Sequence, residues 1–395
     1  MTDIMNANIT HSFFFSELPF TTTEAFIRSA KRFDPNALVY DPAGECAHPY
    51  LSQMQTAERF LHGGGQTYEV KRLLLTKFTP DMEKAGLSGW CVMMTFFPES
   101  SIASISFHYS VENACTDDLI LLRQSGEHRL YPFPDGEHSA VQLAEIVCGS
   151  MDIPFRPVER SFLCEITRFG EYDSVEQIEK EQAGRLYGIL TGDEGYSFTS
   201  EALVRERLRA NWGSREFIRI YAFGQSFLFL NLIDSTLRRD YLQYQEGFGA
   251  RAFGGCDPYF TMGSCPLTVN HGIFFSVEFV MMLKTLISGV LCFKGVDGKE
   301  EKMSFYRRIR ETRRLRRKII LVLERVESTE ISEIGELSSV LLESQHIVPI
   351  VDHVKYLLEL LEGDLDLLYS ERNNLLMTIL TVVGLIFAFL EVALR

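Results

Sequence analysis

The chain completes no catalytic or metal-binding signature, and each gap excludes something. Its eight cysteines, at 46, 91, 115, 148, 164, 256, 265 and 292, contain no CxxC pair, so a zinc site is not expected. Cys91 lies inside the apolar "WCVMMTFF" and reads as a reduced thiol packed as a small hydrophobe. The nine histidines include no HExxH, and no Ser/His/Asp or Cys/His set stands out. "HGGGQ" at 62–66 lacks the Gly-Lys-Ser/Thr of a phosphate loop and reads as a turn. "GFGARAFGG" at 247–255 follows a helical pattern where a dinucleotide loop needs a strand. Asp193 and Glu194 in "TGDEG" sit between glycines and read as a solvated turn. No enzyme is expected, and no cofactor is identified, though the residues leave room for a divalent cation.

Positive charge is also short. Lysine and arginine number 39 against 53 acids, a net −14, which argues against a sequence-specific nucleic-acid binder. No lysine or arginine precedes the first short apolar run of "MTDIMNANITHSFFF", so no secretory leader is expected.

What is present begins with a large core. Apolar residues make up 46%, enough for a substantial core, and 395 residues suggest two or three folded units. Residues 1–297 read as a cytosolic α/β domain with room for two subdomains. "WCVMMTFFPESSIASISFHYS" gives two strand-like runs around a polar turn, and "EFIRIYAFGQSFLFLNL" a hairpin turning at Gly224-Gln225. "TDDLILLRQS" and "SVEQIEKEQAGRLYGIL" read as helices, and "FLCEITRF" as a strand. "HGIFFSVEFVMMLKTLISGVLCF" carries Glu278 and Lys284, which favours an amphipathic core helix over a membrane span.

A charged helical region, 298–348, follows. Residues 302–318 hold nine bases and one acid, whereas 319–372 hold twelve acids and three bases. Three readings stand for Arg307, Arg308, Arg310, Arg313, Arg314, Arg316 and Arg317: pairing with the acidic helix, contact with anionic lipid, or a site for a small anionic ligand such as a nucleotide, or for nucleic acid. A stalk helix is expected over 349–373, with Pro349 suited to its first turn.

The last segment, 374–395, predicts a transmembrane helix: Leu375 to Leu394 hold one charge, Glu391, and would span about 30 Å. Asn374, Thr378, Thr381, Gly384, Ala388 and Glu391 fall on one stripe, suited to coiled-coil-like contact between helices or to lining a pore.

"NLLMTILTVVGLIFAFL" resembles the first transmembrane helix of the CorA metal-ion transporter superfamily, through Asn374, Met377, Leu380, Thr381, Ile386 and Phe387. The resemblance covers about twenty residues. It implies a homopentamer with a cytoplasmic α/β domain, a long stalk and a single-pass helix in the cell membrane. By position it also implies a pore lined by Asn374, Met377, Thr381, Gly384, Ala388 and Glu391. The family's Gly-Met-Asn signature and second helix do not occur here, so magnesium selectivity is not expected. Two functions follow. In one, self-association gathers the helices into an ion-conducting bundle under control of the cytosolic domain. In the other, a tail-anchored sensor or effector, nucleotide-gated as in bacterial defence, uses the helix only as an anchor.

Overall fold

A computed structural model describes residues 4–39, 70–76, 88–98, 100–124, 131–133, 136–247, 271–291, 310, 313, 314, 317, 320 and 332–393. Nine strands form one mixed sheet: β1 (Met5–Phe15), β2 (Leu38–Val39), β3 (Lys71–Leu75), β4 (Ser88–Phe97), β5 (Ile102–Ala114), β8 (Glu159–Phe169), β9 (Asn211–Arg215), β10 (Ile218–Phe223) and β11 (Ser226–Asn231). Their order is β2-β3-β4-β5-β1-β8-β11-β10-β9. Neighbours run antiparallel except β8 and β11, which are parallel. That pair needs a long crossover, supplied by α4 (Val175–Thr191), α5 (Glu201–Arg207) and the β9–β10 hairpin. β6 (Tyr131–Phe133) and β7 (Gly136–His138) make a separate ribbon.

Both hairpins read from the sequence form. β4 pairs with β5, and β10 with β11 around Gly224, whose φ of +55° suits glycine. The helices α2 (Thr116–Gln124) and α4 also lie where their caps and periods place them. Ser174 accepts from Gln177 N at the start of α4, and Gly192 at φ +75° ends it.

Alternation along the strands separates two buried faces. One face carries Ile9, Phe13, Ile105, Phe107 and Phe96, and α1 (Thr23–Phe33) covers part of it through Phe26 against Phe96. The other carries a polar row: Thr10 bonds His108 at 3.0 Å, Ser12 bonds Ser106 at 2.9 Å, and Asn8 and Asn231 both donate to Glu165. Because both faces are covered, these polar groups must pair with one another, and they do.

Over the polar face lies α7 (His271–Leu291), the helix whose Glu278 and Lys284 argued for a core position. Glu278 is 1% exposed, pairs with buried Arg72 of β3 and accepts from Ser104 at 2.9 Å. The Arg72 guanidinium also lies 4.2 Å from the Phe275 ring centroid. Beside α7, α8 (Ser332–Ser344) packs on β9 and β10, with Trp212 Nε1 donating to Glu336. The remaining described helices of the body are α3 (Ala140–Ser150), opened by a Ser139–Gln142 capping box, and α6 (Thr236–Gly247).

The C-terminal expectation needs correction. α9 (Ile347–Ala393) is a single 47-residue helix, yet among the described residues no helix is long and apolar enough to cross a membrane. The expected stalk-plus-transmembrane architecture and the single-pass placement in the cell membrane, with its cytoplasmic N-terminal domain, are therefore withdrawn. A pore lined by Asn374, Met377, Thr381, Gly384, Ala388 and Glu391 would require such a span, which the described residues do not provide. Thr378 and Thr381 instead turn their hydroxyls onto the Asn374 and Met377 carbonyls of their own helix, at 2.8 and 2.7 Å.

Candidate anion-binding site

One end of the central strands opens into a cavity of about 340 Å³. Strand register builds its wall. His11, Phe162 and Ser226 stand side by side across β1, β8 and β11, and Phe13 and Arg160 form the next row along β1 and β8. The side of the cavity comes from the end of α2, where Arg123 and Gln124 project. α2 packs on α4, and α4 packs on β10 and β11, which places the Arg123 end of α2 above Ser226.

Arg123 is the distinctive group. Its Nε donates to Ser226 Oγ at 2.8 Å, across 103 residues of sequence. Burial holds its guanidinium below the ordinary arginine value, and no described carboxylate lies within ion-pair distance to offset that cost. The turn after α4 fixes its pose. Gly192 is required by its φ of +75°, and its missing Cβ leaves room for the Arg123 guanidinium, whose Nη1 would otherwise have to move aside. Gln124 Nε2 donates to the Gly192 carbonyl at 3.3 Å and to Glu194 at 3.1 Å. The "TGDEG" turn is thus a buttress for the cavity. Its Asp193 is used internally, accepting from Gly195 N and from Thr199.

Arg160 brings the second guanidinium, 5.9 Å from the Phe13 ring centroid. His11 contributes no charge. It is buried between Phe162, with ring centroids 5.2 Å apart, and Tyr109, whose hydroxyl lies 3.4 Å from Nε2. Burial lowers its pKa to about 3, so it stays a neutral polar wall. Two arginines, serine and glutamine donors and a neutral imidazole form a lining that receives negative charge.

The arginines named from the sequence lie elsewhere. Arg310, Arg313, Arg314 and Arg317 are exposed, while Arg307, Arg308 and Arg316 fall outside the described residues. Arg313 hydrogen-bonds the Tyr369 hydroxyl on α9 and stacks 5.9 Å from its ring centroid, so this segment meets the acidic helix at least there. The glycine runs at 62–66 and 248–255, and Cys46, Cys256, Cys265 and Cys292, also lie outside the described residues. Cys91, Cys148 and Cys164 are buried, and Cys115 is exposed. Among the described residues no group of three or more histidine, cysteine or acidic side chains is placed to hold a metal ion.

Sequence reasoning missed Arg123, Arg160 and His11. A basic residue in the last turn of a helix reads as a partner of the helix dipole, and Arg160 reads as a strand's first polar residue. Nothing local joins them.

The fold defines a mixed α/β sandwich with helices on both faces of one sheet and an arginine-lined cavity at the strand ends. No family model, curated protein or solved structure matches the chain.

Proposed function

We propose that this chain is a ligand-responsive sensor whose α/β body takes a small phosphate-bearing anion between Arg123 and Arg160, and whose C-terminal helix gathers copies of the chain. The observation that carries the reading is Arg123. A partly buried guanidinium facing an open cavity, with no carboxylate partner among the described residues, is costly until an anion neutralises it. The volume of the cavity suits a mononucleotide-sized or smaller ligand.

The test is calorimetric titration of the full chain with inorganic pyrophosphate and with nucleoside monophosphates. Binding is expected to weaken with added salt, and Arg123→Ala is expected to cost roughly ten- to hundredfold in affinity, the range of one charge-assisted contact. Arg123→Lys should recover only part, since the forked geometry is lost. Equal affinity in wild type and Arg123→Ala would remove the cavity from consideration.

Self-association rests on α9. Leu375, Leu376, Ile379, Leu380 and Val383 are 41–64% exposed and share one side of the helix, across from the stripe of Asn374, Thr378, Thr381 and Gly384. An exposed apolar stripe of this kind is buried when a second helix packs on it. Native mass spectrometry of the full chain is expected to give a closed homo-oligomer, and Leu380→Glu with Val383→Glu a lighter particle. A monomer in both cases would defeat this part of the reading while leaving ligand binding untouched.

A further inference from the structure

The hairpin that closes the cavity is also bonded to the root of the C-terminal helix. Gln225, on the cavity rim, donates from Nε2 to Glu159 Oε2 at 3.0 Å. Glu159 is buried and receives two groups from α7: Ser288 Oγ donates to Oε1 at 3.0 Å, and Lys284 Nζ lies 3.5 Å from Oε2. The same ammonium donates to Gln345 Oε1 at 3.0 Å. Gln345 Nε2 returns to the hairpin, donating to the carbonyl of Gly224. Gly224, Gln225, Glu159, Lys284 and Gln345 therefore close a polar ring.

The position of Gln345 gives the ring its consequence. It is 4% exposed and lies in the two-residue joint between Ser344, the end of α8, and Ile347, the start of α9. The other joint residue, His346, has φ +55°, a left-handed conformation that few residues other than glycine adopt, histidine, asparagine and aspartate more often than the rest. A joint this short has few torsions through which to absorb a shift, so displacing Gln345 must turn the axis of α9.

We infer that the ring couples occupancy of the cavity to the orientation of α9; this rests on the reading that the cavity takes an anion. The linkage is direct at the cavity end. Arg160 is the chain neighbour of Glu159, and Ser226 is the chain neighbour of Gln225. An anion that draws Arg160 or the Arg123–Ser226 pair inward pulls on both ring members at once. The ligand then favours the α9 orientation compatible with the strained ring, and α9 in turn affects the ligand by the same factor, on the order of 5- to 150-fold for couplings of this kind. The two-residue joint is where a pull on the ring would be converted into a turn of α9.

The experiment is amide hydrogen exchange on the full chain with and without inorganic pyrophosphate, in wild type and in Gln345→Leu. Wild type is expected to show protection at residues 120–124 and 225–227, together with altered exchange at 345–356. In Gln345→Leu the cavity segments should still be protected while 345–356 no longer respond. Pyrophosphate affinity should also shift by about fivefold or more, although Gln345 does not line the cavity. Lys284→Gln cuts the ring at another corner and must give the same uncoupling, so a folding defect in one variant does not decide the matter. An identical response at 345–356 in wild type and both variants overturns the coupling. So does cavity protection in wild type with no change at 345–356. No protection at 120–124 and 225–227 in wild type overturns the anion reading itself, and the coupling with it.

Discussion

Glu278→Ala is expected to destabilise the fold by about 3–5 kcal/mol, because it strands a buried charge. Arg72 is 4% exposed, and Glu278 is the carboxylate it pairs with. Removing the acid deprives the guanidinium of its carboxylate and Ser104 Oγ of its acceptor. The cavity left by the lost Cγ methylene and carboxylate adds to this. Replacing both partners by apolar residues, Arg72→Met with Glu278→Leu, should be far milder, near neutral, since the desolvation cost of both charges disappears together. Urea midpoints of the two variants and wild type measure this. A Glu278→Ala loss below about 1 kcal/mol would mean that water reaches the pair and that α7 is less firmly seated than its burial implies.

The second large effect is a dependence on pH that traces to one ring. His11 has its pKa lowered to about 3 by burial, against about 6.5 in an unfolded chain. The fold therefore favours the neutral imidazole. Between pH 6.5 and 3 the unfolded chain holds a proton that the folded chain does not, so stability rises with pH across this window and is fully present above 6.5. The limiting slope is about 1.4 kcal/mol per pH unit, and the whole contribution on the order of 5 kcal/mol. Unfolding free energies at pH 7, 5.5 and 4.5 should thus converge between wild type and His11→Gln as the pH falls, because the variant lacks this proton uptake. Parallel curves for the two proteins would show that His11 protonates in place, with the strand ends parting to admit water. The same neutrality means that anion affinity should not rise as the pH falls from 7 to 5.5 through any charge on His11.

Much of the body was legible because its signals are local. Strand alternation gave the β4–β5 and β10–β11 hairpins, and Gly224 marked the second turn through a backbone angle only glycine adopts freely. Ser174 and Gly192 bracketed α4 by cap chemistry. Glu278 and Lys284, two charges in an otherwise apolar helix, foretold a core position with partners, although the sequence could not say that Arg72, 206 residues away, would be one of them. The C-terminal reading failed in a different way. Hydropathy and helical period correctly announced one continuous helix, but they described the segment's composition and were taken further, to a span that the described residues do not provide.

By itself, then, the sequence determined which stretches became strands and helices and where the turns fell. These follow from interactions within a few residues. The tertiary structure alone decided the cavity and the ring behind it. Arg123, Arg160, His11 and Ser226 meet only because β1, β8 and β11 pair in one register and α4 carries α2 above them. Gln345 finds Gly224 and Lys284 only because α7 and α8 share the polar face of the sheet. Such contacts join residues distant in sequence whose local patterns are those of any cap, turn or strand end, so nothing short of the packed fold could bring them to notice.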